Sequence, residues 1–516
     1  MIGARNPAMT HTNAPHRPLT LPRRELLVAG SALAAAPLAA AVPRWTAGQP
    51  EPVRVGVIGI GIRGRRLMDG KLLSNESFRV TAVCDVDETR MLDAKRRVDE
   101  RYGDDRCQAV PRHEDLVKRD DVDAVLIATP DHWHTLQILD ACAAGKDVYC
   151  EKPLTLTLRE SQVVIEAVRR AGIVFQTGSQ QRSEYAHRFV AAAEAVRAGR
   201  IGRVLTVHVG VGDPPTACDL GEDAPEPGLD WDRWLGPAPM RAYSEVLSPR
   251  GVHGHYPQWR RYWEYAGGGL ADMGAHHFDI AQWALGMDGT LPVRVEPPRT
   301  GGRTRGATAL YSNGVRLLHG GPNGATFIGE KGMIAVDRGR ISNTPAGILE
   351  WEPTDEERFP RHVGHVENWL DCIRDRSEPI CGVEVGARSA AVCHLMNACY
   401  RELRQLDFNP GAWRFVGYAP PNERLDFERR EGYALPGCAP RRRSVVGPGD
   451  LHLEDARRSP GHLEHVREDD APRGPHPVAA RAGEVDLDVA RGLVAAHAEL
   501  ARPARPRRVP LPGDPP

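Results

Sequence analysis

From Val53 to Ile58 the chain reads VRVGVI, apolar almost without a break, which is the pattern of a strand buried on both faces of a parallel sheet. A helix-like stretch follows, and then a second strand, FRVTAVCDVD. VDAVLIATP (Val122 to Pro130) and DVYCEKP (Asp147 to Pro153) repeat the pattern on either side of a helix over TLQILDACAAG that stops at Gly145, and GIVFQTGSQQRS supplies a further strand-like run. Strands alternating with helices at this spacing predict a doubly wound α/β Rossmann sheet over residues 51–177, with functional residues at the C-terminal ends of its strands. From about Gly178 the period changes. RVLTVHVGVG, ATALYSNGVRLLHGG and ATFIGEKGMIAV alternate apolar with polar positions, and Asn313-Gly314 and Lys331-Gly332 read as hairpin turns. The expectation for 178–436 is a domain built on an antiparallel sheet, closed against the first domain by helices over HVGHVENWLDCIRDR and ARSAAVCHLMNACYREL. Residues 437–516 are rich in Arg and Pro and poor in large apolar residues, and are expected to be disordered.

Composition narrows the function classes. The 516 residues carry a formal net charge of −1, so no global field favours nucleic acid or an anionic membrane. The basic tail has interspersed acids and no aromatic platform, which argues for a solvated segment over a nucleic-acid binder. The ten cysteines form no C-x-x-C pair and read as buried thiols. Over residues 1–50, Arg23-Arg24 precede an Ala- and Leu-rich run with Ala39 and Ala41 as an A-x-A cleavage site. This resembles a twin-arginine export signal, although Pro22 and Leu26 depart from the usual residues. It implies an exported or periplasmic protein and the twin-arginine machinery as a partner.

The chemistry starts at Gly59, Gly61 and Gly64, in G-x-G-x-x-G spacing directly after the first strand. Alone the motif is weak. A preceding strand, a following helix and Asp85 about 20 residues further on raise it to a dinucleotide-binding turn. Glycines admit a pyrophosphate at a helix N-terminus, and Asp85 can accept hydrogen bonds from a ribose. The carboxylate favours NAD, while Arg63, Arg65 and Arg66 leave NADP open. Downstream, GGGLADMGAHHFDIAQWAL places Asp272, His276, Asp279 and Trp283 at helical spacing, so Asp272 and His276 share a face and can present an acid/base pair. A metal site built on Asp272, His276 and His277 with His132 and His134 is disfavoured, because adjacent helical histidines diverge by about 100°; no metal is expected. His277 and Asp279 read as a structural network. Trp231, Trp234, Trp259 and Trp263 suit either the apolar face of a sugar or plain packing.

Together the glycine motif, Asp85, ATPDHWH, EKPL and GGGLADMGAHHFDIAQW resemble the Gfo/Idh/MocA oxidoreductases over residues 52–436. The resemblance implies a Rossmann domain followed by an α+β domain with an open, mostly antiparallel sheet, a homodimer or homotetramer joined through that sheet, a Lys-Pro bond that is often cis, and a catalytic lysine of EKP acting with an Asp and a His in D-x-x-x-H spacing. Lys152, Asp272 and His276 match those positions. The candidate cofactor set is Gly59, Gly61, Ile62, Arg63, Gly64, Asp85, Thr129, Pro130, His132, His134, Glu151, Lys152 and Gln180. The candidate substrate set is Lys152, Arg182, Trp259, Asp272 and His276. The expected function is hydride transfer between NAD and a carbon bearing a hydroxyl in a carbohydrate or polyol. An NAD-dependent, redox-assisted glycoside hydrolase and a non-catalytic NAD- or sugar-binding protein are the alternatives.

Overall fold

The computed structural model describes residues 51–299, 302, 304–417 and 425–435; residues 1–50, expected to be an export signal, and the Arg/Pro-rich tail lie outside the described residues. The first domain is built on six parallel strands: β1 (Val53–Ile58), β2 (Phe78–Cys84), β3 (Gln108–Ala109), β4 (Ala124–Ile127), β5 (Asp147–Cys150) and β6 (Phe175–Thr177), in the order β3-β2-β1-β4-β5-β6. This is the doubly wound parallel sheet that the continuous apolar runs predict. Its helices are α1 (Ile62–Leu67), α2 (Glu88–Tyr102), α3 (His113–Leu116), α4 (Asp131–Ala143) and α5 (Leu158–Ala171). The last of these starts on a capping box, in which the Thr157 side chain accepts from the Glu160 amide and the Glu160 carboxylate reaches back to Thr157.

The second domain contributes α6 (Arg188–Arg197), β7 (Val204–Gly210), α7 (Trp231–Leu235), α8 (Gly268–Leu285), β8 (Arg294–Glu296), β9 (Thr308–Leu310), β10 (Arg316–Gly329), β11 (Met333–Val336) and β12 (Ile341–Thr344). The chain finishes with α9 (His365–Asp375), α10 (Val383–Glu402), β13 (Leu406–Asn409) and β14 (Arg414–Val416). The second sheet runs β12-β11-β10-β9-β8-β13-β14, with β7 on β10, and its pairings are antiparallel. β10 wraps β7, so that Thr206 pairs with both Arg316 and Ile328. The Asn313-Gly314 turn lies between β9 and β10 as expected. The next turn sits one residue earlier than Lys331-Gly332, because Gly329 pairs with Gly332 and leaves Glu330-Lys331 as its centre.

The helix α8 is buried along nearly its whole length, between α6, α10 and the second sheet. Its N-terminus can lie against the 212–215 loop because glycines meet there: a Cβ on Gly269 would fall 2.9 Å from the Gly212 Cα. Helix α9, in contrast, packs on the first sheet, where Trp369 lies against Phe78 and Tyr149 and shares a core with Val53 and Val55.

Arg182, expected at the substrate, is a structural residue instead. It is 2% exposed, and its guanidinium donates to both carboxylate oxygens of Asp279 (2.7 and 2.9 Å) and of Asp288 (2.9 and 3.0 Å), with the Trp283 ring beside it. Asp279 also accepts from Ser389 Oγ at 2.9 Å. Removing one member of such a group strands the other's charge in the core. Arg182→Met is therefore expected to lower unfolding stability by about 3–5 kcal/mol, and Arg182→Met/Asp279→Leu to recover part of that loss, both read from urea denaturation; a single variant as stable as the parent would show that the pair carries no such weight.

Candidate active site

Two adjoining clefts lie at the C-terminal ends of the first sheet's strands. The first, about 830 Å³ including its open mouth, is lined by Gly59, Gly61, Ile62, Arg63, Asp85, Thr129 and Pro130. The second, about 920 Å³ on the same measure, is lined by Thr129, Glu151, Lys152, Gln180, Asp272 and His276. Arg63, Trp259 and Arg260 face both.

The glycine turn explains the first cleft. Gly59 has φ +87°, a conformation that favours glycine, and a Cβ there would also strike the Thr129 backbone at 2.7 Å. Gly64 lets α1 press on β1, since its Cβ would lie 2.0 Å from the Gly59 carbonyl oxygen; it packs beneath the turn and does not line either cleft. Gly61 is different. Its φ of −67° suits any residue, and a Cβ there would meet nothing within 4 Å. Nothing inside the protein calls for glycine at that position; the space beside it is what a side chain would take away. A diphosphate approaching the N-terminus of α1 needs that space. Asp85 lies at the end of β2, its two oxygens accepting from the Ile60 amide (2.6 Å) and the Asp87 amide (3.0 Å), with lone pairs left for ribose hydroxyls. Burial raises its pKa above the usual carboxylate value. Trp133, Trp234 and Leu247 give the cleft an apolar wall suited to a planar base. The residues present thus fit a dinucleotide.

The second cleft is organised by the loop after β5, where the Lys152-Pro153 peptide is cis. Lys152 Nζ donates to Asp272 Oδ1 at 2.7 Å and to the Asp272 carbonyl at 2.9 Å, joining this loop to α8. Burial pushes the Asp272 carboxyl up, but Lys152 and then Arg260 outweigh it and hold the group below its usual range. His276, one helical turn along, is 2% exposed, and its Nδ1 has no hydrogen-bond partner among the described residues. Burial and then the Lys152 charge lower its pKa well below the ordinary imidazole value, so the ring is neutral. Glu151 accepts from Arg63 Nε and from Gln180 Nε2, both at 2.8 Å, and stays ionised because Arg63 and Lys152 overcome its burial.

Besides Gly64, two expected cofactor residues lie away from the clefts. His132 is buried among Trp133, Trp234 and Tyr265, its Nε2 3.0 Å from the Trp234 carbonyl. The ring of His134 lies between the carbonyls of Pro153 (2.9 Å) and Thr129 (3.0 Å), where it ties two cleft loops together. Sequence reasoning missed Asp131, Tyr185, Arg260 and Arg338, all of which line the Lys152 cleft. Tyr185 opens a run of three left-handed residues, Tyr185-Ala186-His187, with φ of 62°, 54° and 55°. Such conformations cost about 1–2 kcal/mol each for residues other than glycine.

Residues 53–179 match the family model described as an oxidoreductase family with an NAD-binding Rossmann fold, and residues 219–435 match the C-terminal alpha/beta domain of the same family. The chain belongs to the Gfo/Idh/MocA oxidoreductase family. The first domain is accordingly an NAD-binding domain, in agreement with the cradle at Gly61. The chain is 27% identical over 304 residues to myo-inositol 2-dehydrogenase of Thermotoga maritima, covering 56% of this chain and 76% of that protein. It is 42% identical over 102 residues to 1,5-anhydro-D-fructose reductase of Ensifer adhaerens, covering 20% and 30%. It is also 27% identical over 248 residues to a glycosyl hydrolase family 109 protein of Stenotrophomonas maltophilia, covering 45% and 53%. Among solved structures, the WlbA dehydrogenase from Bordetella pertussis, crystallised with NADH and UDP-GlcNAcA, superposes with a TM-score of 0.49 at 20% identity, covering 70% of this chain and 98% of that one.

The two glycines separate ligand space from packing. Gly61→Val is expected to leave the unfolding free energy within about 0.5 kcal/mol of the parent while weakening NAD binding by calorimetry at least tenfold. Gly64→Ala should lower stability by about 1–3 kcal/mol through overpacking. Undiminished NAD affinity in Gly61→Val would remove the cradle assignment.

Proposed function

We propose that the protein is an NAD-dependent dehydrogenase or reductase that moves hydride between nicotinamide and a carbon bearing a hydroxyl in a carbohydrate or polyol. One observation carries the reading: the Lys152 ammonium, fixed by both acceptors of Asp272, lines the cavity that adjoins the dinucleotide cleft, with a neutral His276 beside it. NAD, when bound, supplies the hydride acceptor or donor. The chain's own groups handle the oxygen and the proton. Lys152 orients the substrate oxygen and stabilises negative charge that develops on it. His276, uncharged and shielded from water, takes the hydroxyl proton on oxidation and returns it on reduction. Asp272 holds Lys152 and, through the shared helix, sets its distance from His276. Trp259 offers an apolar wall to the non-polar face of a sugar ring. The names of the inositol dehydrogenase and anhydrofructose reductase relatives support this substrate class, and Asp85 supports NAD over NADP.

A second reading is a redox-assisted glycoside hydrolase, supported by the likeness to the family 109 protein over 45% of the chain. The Arg23-Arg24 segment supports export to the periplasm, where a retained and internally recycled NAD would suit that chemistry. One assay separates the two: sugars, cyclitols and aryl glycosides are offered to the purified protein with NAD while absorbance at 340 nm and aglycone release are followed together. A dehydrogenase accumulates reduced nicotinamide in proportion to substrate; a glycosidase releases aglycone without net reduction. In either case His276→Ala should lower kcat by roughly 10²- to 10⁴-fold with NAD affinity unchanged. Because the pKa of His276 is depressed, its basic form persists as pH falls, so the acid limb of kcat/KM is expected below about pH 6.5, the unperturbed imidazole value. A limb above that value, or full turnover in His276→Ala, would overturn its role as the base.

A further inference from the structure

The charges lining the Lys152 cleft do not cancel. Four cationic side chains face it, Arg63, Lys152, Arg260 and Arg338, against the carboxyl groups of Asp131, Glu151 and Asp272. Arg63 is paired with Glu151 at 2.8 Å and Lys152 with Asp272 at 2.7 Å. Arg260 lies 3.7 Å from the same Asp272, stacks over the Trp259 ring, and also faces the dinucleotide cleft. Asp131 offers no compensation: burial, and then the neighbouring Asp272, push its pKa up to about 8, so it is mostly protonated at neutral pH.

Arg338 remains. It stands on the turn between β11 and β12, lines the Lys152 cleft and not the dinucleotide cleft, and is half-buried. Its Nε is buried without a hydrogen-bond partner, and among the described residues no carboxylate forms an ion pair with it. The adjacent Asp337 is turned to its own loop, accepting from the amides of Gly339 and Arg340. Its guanidinium stacks on the face of the Tyr185 ring, 4.8 Å from its centroid, and its charge also acts on Asp272, a carboxylate already shared by Lys152 and Arg260. Stacking of that kind holds a guanidinium flat and leaves its donor edges for a ligand. Tyr185 itself opens the left-handed run Tyr185-Ala186-His187.

We infer that the substrate is an anionic carbohydrate, a sugar acid or a sugar phosphate, whose charged group is bound by Arg338; this deepens the dehydrogenase reading and rests on it. A guanidinium fork matches either a carboxylate or a phosphate, and a neutral sugar would leave this one unpaired in a half-buried site.

The test uses matched substrates with the NAD-loaded protein: glucose, glucuronate, gluconate and glucose 6-phosphate, and myo-inositol beside an inositol monophosphate. Expected is a kcat/KM at least roughly tenfold higher for an anionic member than for its neutral parent, as a charge-assisted hydrogen bond gives. Which anion leads distinguishes the sugar acid from the phosphate. In Arg338→Gln that preference should vanish through a raised KM with kcat changed much less, and Arg338→Lys should restore part of it. Neutral and anionic substrates turned over equally well, with Arg338→Gln affecting both alike, would overturn the inference and leave the dehydrogenase reading standing. If nothing in either class changes the absorbance at 340 nm, the dehydrogenase reading fails, and calorimetry decides the binding claim: anionic-sugar binding lost in Arg338→Gln sustains it, and binding that is absent or indifferent to that change overturns it.

Discussion

The contact between Lys152 and Asp272 governs the geometry of everything around it. A lysine from the loop after β5 and an aspartate from α8 are brought into a poorly solvated cleft, and each is tolerable there because the other is present. The ammonium takes both the carboxylate and the peptide carbonyl of the same residue, so it fixes the helix backbone as well as a side chain. His276, one turn along the same helix, therefore has a defined place beside Lys152 in the second cleft. The neighbouring contacts brace the same junction from the other side: Glu151 is held between Arg63 and Gln180, and the His134 ring lies between the Pro153 and Thr129 carbonyls. A lysine held on one side by two acceptors still keeps donor capacity toward a substrate oxygen.

Local pattern revealed what local physics determines. The apolar runs of β1, β4 and β5, the glycine turn with Asp85, and the long helix carrying Asp272 and His276 are all visible as periodicity or fixed spacing within about thirty residues. β3 is two residues long and leaves no pattern to read. Arg182 was misread for a different reason. It follows Gln180 at the end of a cleft strand, but its acidic partners lie 97 and 106 residues further along the chain, and burial between them turns it from a ligand group into a core tie. His132 and His134 likewise stand beside a cleft loop in sequence while their rings point into the packing behind it. Tyr185, Arg260 and Arg338 reach the site from three separate segments, one of them a polar turn, Asp337-Arg338-Gly339-Arg340, that looks like any surface hairpin.

These two kinds of residue divide the labour of the site. The dinucleotide is met by backbone, glycine space and one carboxylate, features that a shared fold carries intact between distant relatives. The far side of the second cavity is met by long side chains from loops and sheet turns, which can be exchanged with little effect on the frame. Likeness to an inositol dehydrogenase at 27% identity therefore speaks for the frame more than for the shape of the molecule turned over.

Helix α9 lies on the first sheet although most of the second domain, β7 to β12 included, precedes it in sequence. Val366, Trp369, Leu370 and Ile373 complete the core around Val53 and Phe78, and the Thr177 amide at the end of β6 is bonded to the Cys381 carbonyl. During synthesis, then, the nucleotide-binding half emerges from the ribosome with one apolar face bare and stays so until roughly two hundred more residues have been made, since domains tend to fold as their last element arrives. The order in which this chain is written is not the order in which it can close, and its first half has to wait, sticky and incomplete, for a helix that belongs to it.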